Sequence, residues 1–216
     1  MLLTYQGHSQ FTLESAAGCR VVFDPFDKSV GYPMHSVRAD FVISSHKHGD
    51  HHDLSKVTGA TAVVETAGVT RLTREVEAEL LPAYHDDAHG QKRGETFLTI
   101  LRIDGLKVVH LGDLGCMLSD EQAQALKNPD LLLIPVGGFY TIDAARAAFI
   151  VHQLSPRITI PMHYKTSFNA DWPIATEEEF LALMHCPTPE RMPMLRVTKE
   201  DISCLPSLIF MERTDF

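Results

Sequence analysis

The chain is predicted to be an α/β protein of the α+β kind, a four-layer αββα sandwich in which two sheets bury one face on each other and helices cover the outside. Three observations carry that expectation. About a dozen short apolar runs have strand length, helix signals gather in the later part of the chain, and one hairpin plan occurs twice, each time ending in an aspartate. Sheets and helices each have an apolar face to hide, and layering hides both. With 44% hydrophobic and 22% charged residues in 216, the composition is that of a folded globule and excludes a disordered or collagen-like chain. No linker-like stretch divides it, so one domain over residues 1–216 is expected.

In chain order, the strand candidates are residues 2–5, 11–14, 20–23, 41–44, 62–65 and 77–83. Runs 97–103 and 106–111 flank Asp104-Gly105, a dipeptide suited to a type I′ turn because both central residues need positive φ. Later strands are expected at 131–135, 157–161, 195–198 and 208–211.

Helices are announced by their caps. Ser119 with Gln122, and Thr176 with Glu179, each have the spacing of a capping box, which satisfies orphan amides of the first turn. Asn128-Pro129 stops the first of these helices. Residues 142–154 mix a broad apolar stripe with Asp143 and Arg146 and end at Ser155-Pro156, so a helix packed across a sheet is expected there.

The repeated plan runs from Phe11 to Asp24 and from Phe97 to Asp113. Each copy has a strand, a turn with a glycine (Gly18, Gly105), a second strand with paired valines (Val21-Val22, Val108-Val109) and a closing acid. Internal duplication and chance likeness between two hairpins are both compatible with it. Duplication would mean two similar sheets facing each other.

A net charge of −9 disfavours general nucleic-acid binding, because the whole-molecule field repels phosphate backbones. Bound divalent cations would reverse the sign locally. The first ten residues lack a basic region and an apolar core, and no apolar run approaches the roughly 20 residues of a membrane span. A cytoplasmic, membrane-free protein is the expectation. Cys19, Cys116, Cys186 and Cys204 are far apart, which indicates four reduced, mostly buried thiols rather than a zinc knuckle or a disulfide framework.

The chemistry concentrates in one loop. Of 12 histidines, His46, His48, His51 and His52 fall within seven residues, and Ser44-Ser45-His46-Lys47-His48-Gly49-Asp50-His51 follows a predicted strand. Imidazole and carboxylate are donors that zinc, manganese and iron accept, and alternate positions 46 and 48 can turn two rings to one side. Asp50 and His51 can then face a second ion.

This run resembles the His-x-His-x-Asp-His signature of the metallo-β-lactamase superfamily, whose fold is the αββα sandwich. Its other motifs appear in order: Asp24 after Val21-Val22-Phe23, His85 in Tyr84-His85-Asp86-Asp87, Asp113 in His110-Leu111-Gly112-Asp113, and His163 in Pro161-Met162-His163-Tyr164. Gly7-His8-Ser9, Asp24-Pro25-Phe26 and the Pro-Met-His-Tyr ending are similar to the branch that contains ascorbate-6-phosphate lactonase and related metal-dependent hydrolases. Residues 167–216 carry no comparable mark.

The resemblance implies that His46, His48 and His85 hold one divalent metal, that Asp50, His51 and His163 hold another, and that Asp113 is shared. Two such ions, Zn2+ by preference with Mn2+ or Fe as alternatives, would carry a bridging water. Zinc lowers the pKa of water from about 15.7 to about 7, giving a hydroxide that cleaves an ester, lactone or phosphodiester in a small metabolite. Asp50 and Asp113 would act in catalysis as ligands, and Asp50 can also orient the nucleophile. His8 either touches substrate or protonates a leaving group, or else supports the site. Asp24 and His110 are expected to brace ligands from behind. Lys165 and Arg93 are candidates for an anionic substrate group, against the plain reading of solvated loop cations. His52 is expected to be solvated.

Two other function classes remain in view: a mononuclear iron oxidoreductase on the same fold, and a non-catalytic, metal-stabilised binding module. A glutamate is typical at position 48 in flavin-linked diiron relatives, and here the residue is His48. Substrate identity, native metal and homo-oligomerisation are left open by the sequence.

Overall fold

A computed structural model describes residues 1–214. The strands of its two main sheets are β1 (Leu2–Gly7), β2 (Gln10–Glu14), β3 (Arg20–Phe23), β4 (Phe41–Ile43), β5 (Ala62–Val64), β6 (Gly68–Arg71), β7 (Glu77–Tyr84), β8 (Glu95–Ile103), β9 (Leu106–His110), β10 (Leu131–Pro135), β11 (Ile158–Met162) and β12 (Met194–Arg196), and short pairs at Val37–Arg38 with Val57–Thr58 and at Glu190–Met192 with Ile209–Met211 stand beside them. The α-helices are α1 (Asp120–Leu126), α2 (Ala144–Leu154) and α3 (Glu178–Leu183). Two six-stranded sheets result, ordered β12-β1-β2-β3-β4-β5 and β11-β10-β9-β8-β7-β6.

The two sheets repeat one plan. β1, β2 and β3 pair antiparallel, then β4 and β5 add in parallel. β7, β8 and β9 likewise pair antiparallel, then β10 and β11 add in parallel. The hairpin echo in the sequence is thus the visible part of a repeat of five strands.

Alternation along each strand sorts the side chains. Leu3, Phe11, Val21, Phe23, Ile43, Leu101, Val108, Leu133 and Ile160 point between the sheets and form one buried cluster. Leu98, Ile100, Val109, Leu132 and Ile134 point outward beneath Ala147, Ile150, Val151 and Leu154 of α2. Period-two alternation with both faces apolar is what a sheet covered on both sides requires. Truncating a fully buried member such as Leu133 to alanine costs about 2–5 kcal/mol through lost contacts and the cavity left behind.

The outer layers differ. All three α-helices lie with the cluster on the β10 side. On the other sheet, Val22 and Val42 are covered by Val37 and Ala39, with Val57 packed alongside. That cover consists of the paired residues Val37–Arg38 and Val57–Thr58 and a single turn at Leu54–Lys56.

Several local expectations hold in detail. Asp104 (φ 52°) and Gly105 (φ 74°) form the two-residue turn between Ile103 and Leu106. The Asp104 carboxylate also accepts from Ala16 N at 2.8 Å and meets the chain's amino terminus at 3.0 Å, tying the tips of the two hairpins together. Ser119 and Gln122 form their capping box.

Others need correction. The Thr176–Glu179 box does not form: α3 is entered through Glu177, already helical at φ −71°, without a side-chain cap. The Glu177 carboxylate instead accepts from Arg191 Nη2 at 2.9 Å. α2 begins at Ala144 rather than 142, because Asp143 serves as its cap and accepts from Arg146 N. β6 was not anticipated, since its side chains are mostly exposed and show no apolar alternation. The thiols are unpaired, but Cys19, Cys116 and Cys186 are half-buried and Cys204 is exposed, not mostly buried. No described helix is long and apolar enough to cross a membrane.

Candidate metal centre

The pairing directions make the C-terminal ends of β1, β3 and β4 coincide on one lip, and those of β7, β9, β10 and β11 on another. His8 follows β1, Asp24 follows β3, the 44–52 loop follows β4, His85 follows β7, Asp113 lies just past β9, and His163 follows β11. The sandwich sets the lips against each other, so residues up to 155 positions apart meet. Immediately past strand ends the chain turns sharply: His8 (φ 56°), Asp24 (φ 43°) and His163 (φ 52°) all take left-handed conformations. Such backbone costs of order 1–3 kcal/mol and persists only where the surroundings enforce it.

Three groups of donor atoms, each mutually within 4.8 Å, could hold metal ions: His46, His48 and His85; His8, Asp50, His51 and His163; and His46, His51 and Asp113. The first is the predicted first ligand set. The second is the predicted second set with His8 added. Asp113 joins them, with Oδ1 at 3.1 Å from His51 Nε2 and Oδ2 at 3.4 Å from His85 Nε2 and 3.3 Å from His163 Nε2. All seven predicted ligands are therefore brought together.

The chemistry of the donors fits metal. His8 Nδ1 and Nε2, His51 Nε2, His85 Nδ1, Asp113 Oδ1, and His163 Nδ1 and Nε2 are buried with no hydrogen-bond partner. Buried polar atoms are almost always satisfied, and this many exceptions in one place indicate a shared partner of another kind. Histidine nitrogens and carboxylate oxygens in this mixture suit zinc, manganese or iron.

Support comes from behind. Asp24, fully buried, accepts from Ser45 N at 2.7 Å and Ser45 Oγ at 2.8 Å, and meets His51 Nδ1 at 2.8 Å. That bond turns His51 Nε2 toward the centre. His110 stacks on Phe23 with ring centroids 4.8 Å apart, places Nε2 3.0 Å from the Ser9 carbonyl and accepts from Gly112 N through Nδ1. It is a brace between strands. His52 is not solvated as expected: it is half-buried, with Nδ1 at 3.1 Å from Ser44 Oγ and Nε2 at 3.5 Å from Glu65.

Charge follows burial and neighbours. Burial pulls the His51 pKa down, but the Asp113 and Asp24 carboxylates carry it well above the ordinary imidazole range. Burial lowers His46 to about 3, and burial with His163 lowers His8 to about 4. Burial alone would raise Asp113, yet the His163 and His51 rings hold it well below the carboxylate range. In the same way His8 and His51 overcome the burial of Asp50 and hold it low.

A cavity of about 370 Å³ opens on these groups, lined by Ser29, His48, Asp50, His85, Arg93, Asp113, Tyr140 and Trp172. That volume suits a small metabolite. Arg93 is placed as expected for a substrate contact. Lys165 does not line the cavity, and its amide pairs with the Ala175 carbonyl. His8 is buried behind the cavity wall, 3.4 Å from Asp50 Oδ2, which does not fit a role in meeting a leaving group. Sequence reasoning missed Tyr140 and Trp172, and also Asp86, which accepts from the amides of Ala88, Gly90, Lys92 and Arg93 and so fixes the loop after His85. The signal for Asp86 was an aspartate followed by two glycines in eight residues; the aromatic pair carried none.

Comparisons with known proteins agree with this geometry. Residues 2–163 match the family described as the Beta-lactamase superfamily domain. A UPF0173 metal-dependent hydrolase from Pyrococcus furiosus is 32% identical, covering 84% of this chain and 91% of that protein. Another from Archaeoglobus fulgidus is 29% identical over 77% of this chain and 84% of its own length. Among solved structures, a metallo-β-lactamase superfamily protein from Thermotoga maritima, named as a zinc-dependent hydrolase, superposes with a TM-score of 0.77 at 31% identity and 97% coverage of both chains. With its two matched sheets, its facing lips and its ordered histidines and aspartates, the chain belongs to the metallo-β-lactamase superfamily.

Proposed function

We propose that this chain is a metal-dependent hydrolase that uses two divalent ions, zinc by preference, to cleave an ester, lactone or phosphodiester bond in a small metabolite. One observation carries the reading: two donor groups of different make-up meet at Asp113 on the wall of a cavity of about 370 Å³. His46, His48 and His85 would hold one ion, Asp50, His51 and His163 the other, and Asp113 would touch both. The ions would supply a water acidified to near neutral pH and a positive centre for charge developing on a carbonyl or phosphoryl oxygen.

The chain's own residues do the rest. Asp24 holds His51 in one orientation, and His110 locks the β9 end against β3. His8, neutral at pH 7 with its pKa near 4, sits against Asp50 and His163 and positions them. Asp50, the part-exposed carboxylate of the set, lines the cavity, which supports a role in orienting the attacking water. Its names as metal-dependent hydrolases make the relatives from Pyrococcus furiosus and Archaeoglobus fulgidus support for the same reading. The dispersed, unpaired cysteines fit a cytoplasmic setting.

Purified protein is expected to carry about two metals per chain and to turn over a reporter from at least one of the three bond classes. His46→Ala and Asp113→Ala should each abolish turnover. Folded, metal-loaded protein inert toward all three classes would overturn the proposal.

A further inference from the structure

We propose that Arg93 reads an oxyanion on the substrate, so that this cavity selects small molecules in which a carboxylate or phosphate is carried on a planar, ring-like body beside the bond to be cleaved. The inference rests on the hydrolase reading for what happens at the bond, but the binding it describes can be measured separately.

Arg93 lines the same cavity as His48, Asp50, His85 and Asp113. Its guanidinium lies over two rings, 5.8 Å from the Phe139 centroid and 5.6 Å from the Tyr140 centroid. Among the described residues it has neither a side-chain hydrogen bond nor an ion pair. The nearby carboxylates are already engaged. Asp86 takes four amides, Asp87 pairs with Lys92 at 2.7 Å, and Asp143 caps α2. A guanidinium presents five donors in a planar fork matched to carboxylate or phosphate, and here none of them is spent.

The group is also held in place. Asp86 fixes the Arg93 backbone directly after His85, and Phe139 and Tyr140 belong to the loop whose Gly137 amide donates to the His163 carbonyl at 3.1 Å. One loop thus carries His85 at its start and the other is tied to the His163 backbone, so both hold the Arg93 stack at a fixed place relative to the ligand candidates. Trp172 meets Tyr140 edge-on at 5.6 Å, and the two rings together form an aromatic stretch of the cavity lining. Rings of this kind favour a flat body, and the stack orients the fork without consuming its donors. In a chain of net charge −9, a cation kept unpaired inside the cavity is a local reversal of sign.

Trp172 is the single tryptophan of the chain, so its fluorescence reports occupancy of this cavity without any turnover. Zinc-loaded protein would be titrated with phenyl phosphate, benzoate and neutral benzamide. The proposal expects saturable quenching by at least one anion, weakened roughly tenfold or more in Arg93→Ala and Arg93→Met, partly restored in Arg93→Lys, with benzamide unaffected by any variant. The anion that loses more identifies which oxyanion the fork prefers. Metal content and circular dichroism confirm that the variants are folded and loaded. Unchanged anion affinity in both Arg93→Ala and Arg93→Met, benzamide binding as tightly as benzoate, or no saturable binding by either anion would each overturn it. A paired assay separates the two readings: para-nitrophenyl hydrogen succinate is para-nitrophenyl acetate with an added carboxymethyl group, so it brings the carboxylate that the acetate lacks. Equal loss of kcat/KM on both in Arg93→Ala removes the anion site and leaves the hydrolase. Arg93-dependent quenching with neither ester, lactone nor phosphodiester cleaved removes the hydrolase and leaves the anion site.

Discussion

Asp24 does its work with two oxygens and three partners, Ser45 N, Ser45 Oγ and His51 Nδ1. Replacing it with alanine strands Ser45 N and His51 Nδ1 in a dry interior and leaves Ser45 Oγ only His46 Nδ1, at 3.0 Å. Asp24→Ala is predicted to lower stability by about 2–4 kcal/mol and metal affinity by roughly 10–100-fold; urea unfolding and competition against a chelator measure the two effects, and an unchanged affinity would show that His51 needs no brace. His51 yields a pH prediction. Its pKa is raised in the metal-free chain, so at neutral pH it holds a proton that a metal must displace. Metal affinity should therefore climb as pH rises toward the His51 pKa and level off above it, with about one proton released per chain at neutral pH. An indicator dye in weakly buffered solution reads that release, and zinc uptake without it would contradict the assignment. The ligands themselves were legible in the sequence, because a histidine-rich loop and ordered acids at strand ends leave a compositional trace. Tyr140 and Trp172 were not, since an aromatic residue in a loop looks the same whether it faces solvent, core or substrate.

Among elements, capping separates what local sequence specifies from what packing overrides. Ser119–Gln122 and Thr176–Glu179 have identical spacing, yet only the first makes its box. The second is bypassed because the chain reaches α3 already helical at Glu177, whose carboxylate is drawn to Arg191 from another segment. Asp143→Ala is accordingly predicted to cost about 1 kcal/mol and Thr176→Ala only a few tenths, as thermal or urea unfolding would show. A comparable loss at Thr176 would mean that the cap forms in solution. Central strands were readable from apolar runs, because burial on both faces demands such runs. β6 was unreadable for the opposite reason: it is held by backbone pairing to β7 while its side chains remain largely exposed.

For the whole molecule, the hairpin echo proved to be the trace of a larger regularity. Both sheets run antiparallel, antiparallel, parallel, parallel, and each copy delivers an aspartate past its third strand, Asp24 in one and Asp113 in the other. The two acids take different tasks, Asp24 behind His51 and Asp113 in front of it. Their divergence shows how one repeated plan makes an asymmetric site. The thin outer layer beside β3 and β4 was invisible in the sequence, because turns and two-residue strands carry no periodicity. The central claim, that paired ions held at this repeat seam drive hydrolysis, is tested most directly by titrating chelator-stripped protein with zinc while following cleavage of a reporter the loaded protein turns over. The account predicts that the rate rises with occupancy and saturates near two ions per chain; a rate that is undiminished by stripping, or that stays at zero with both ions bound, would contradict it.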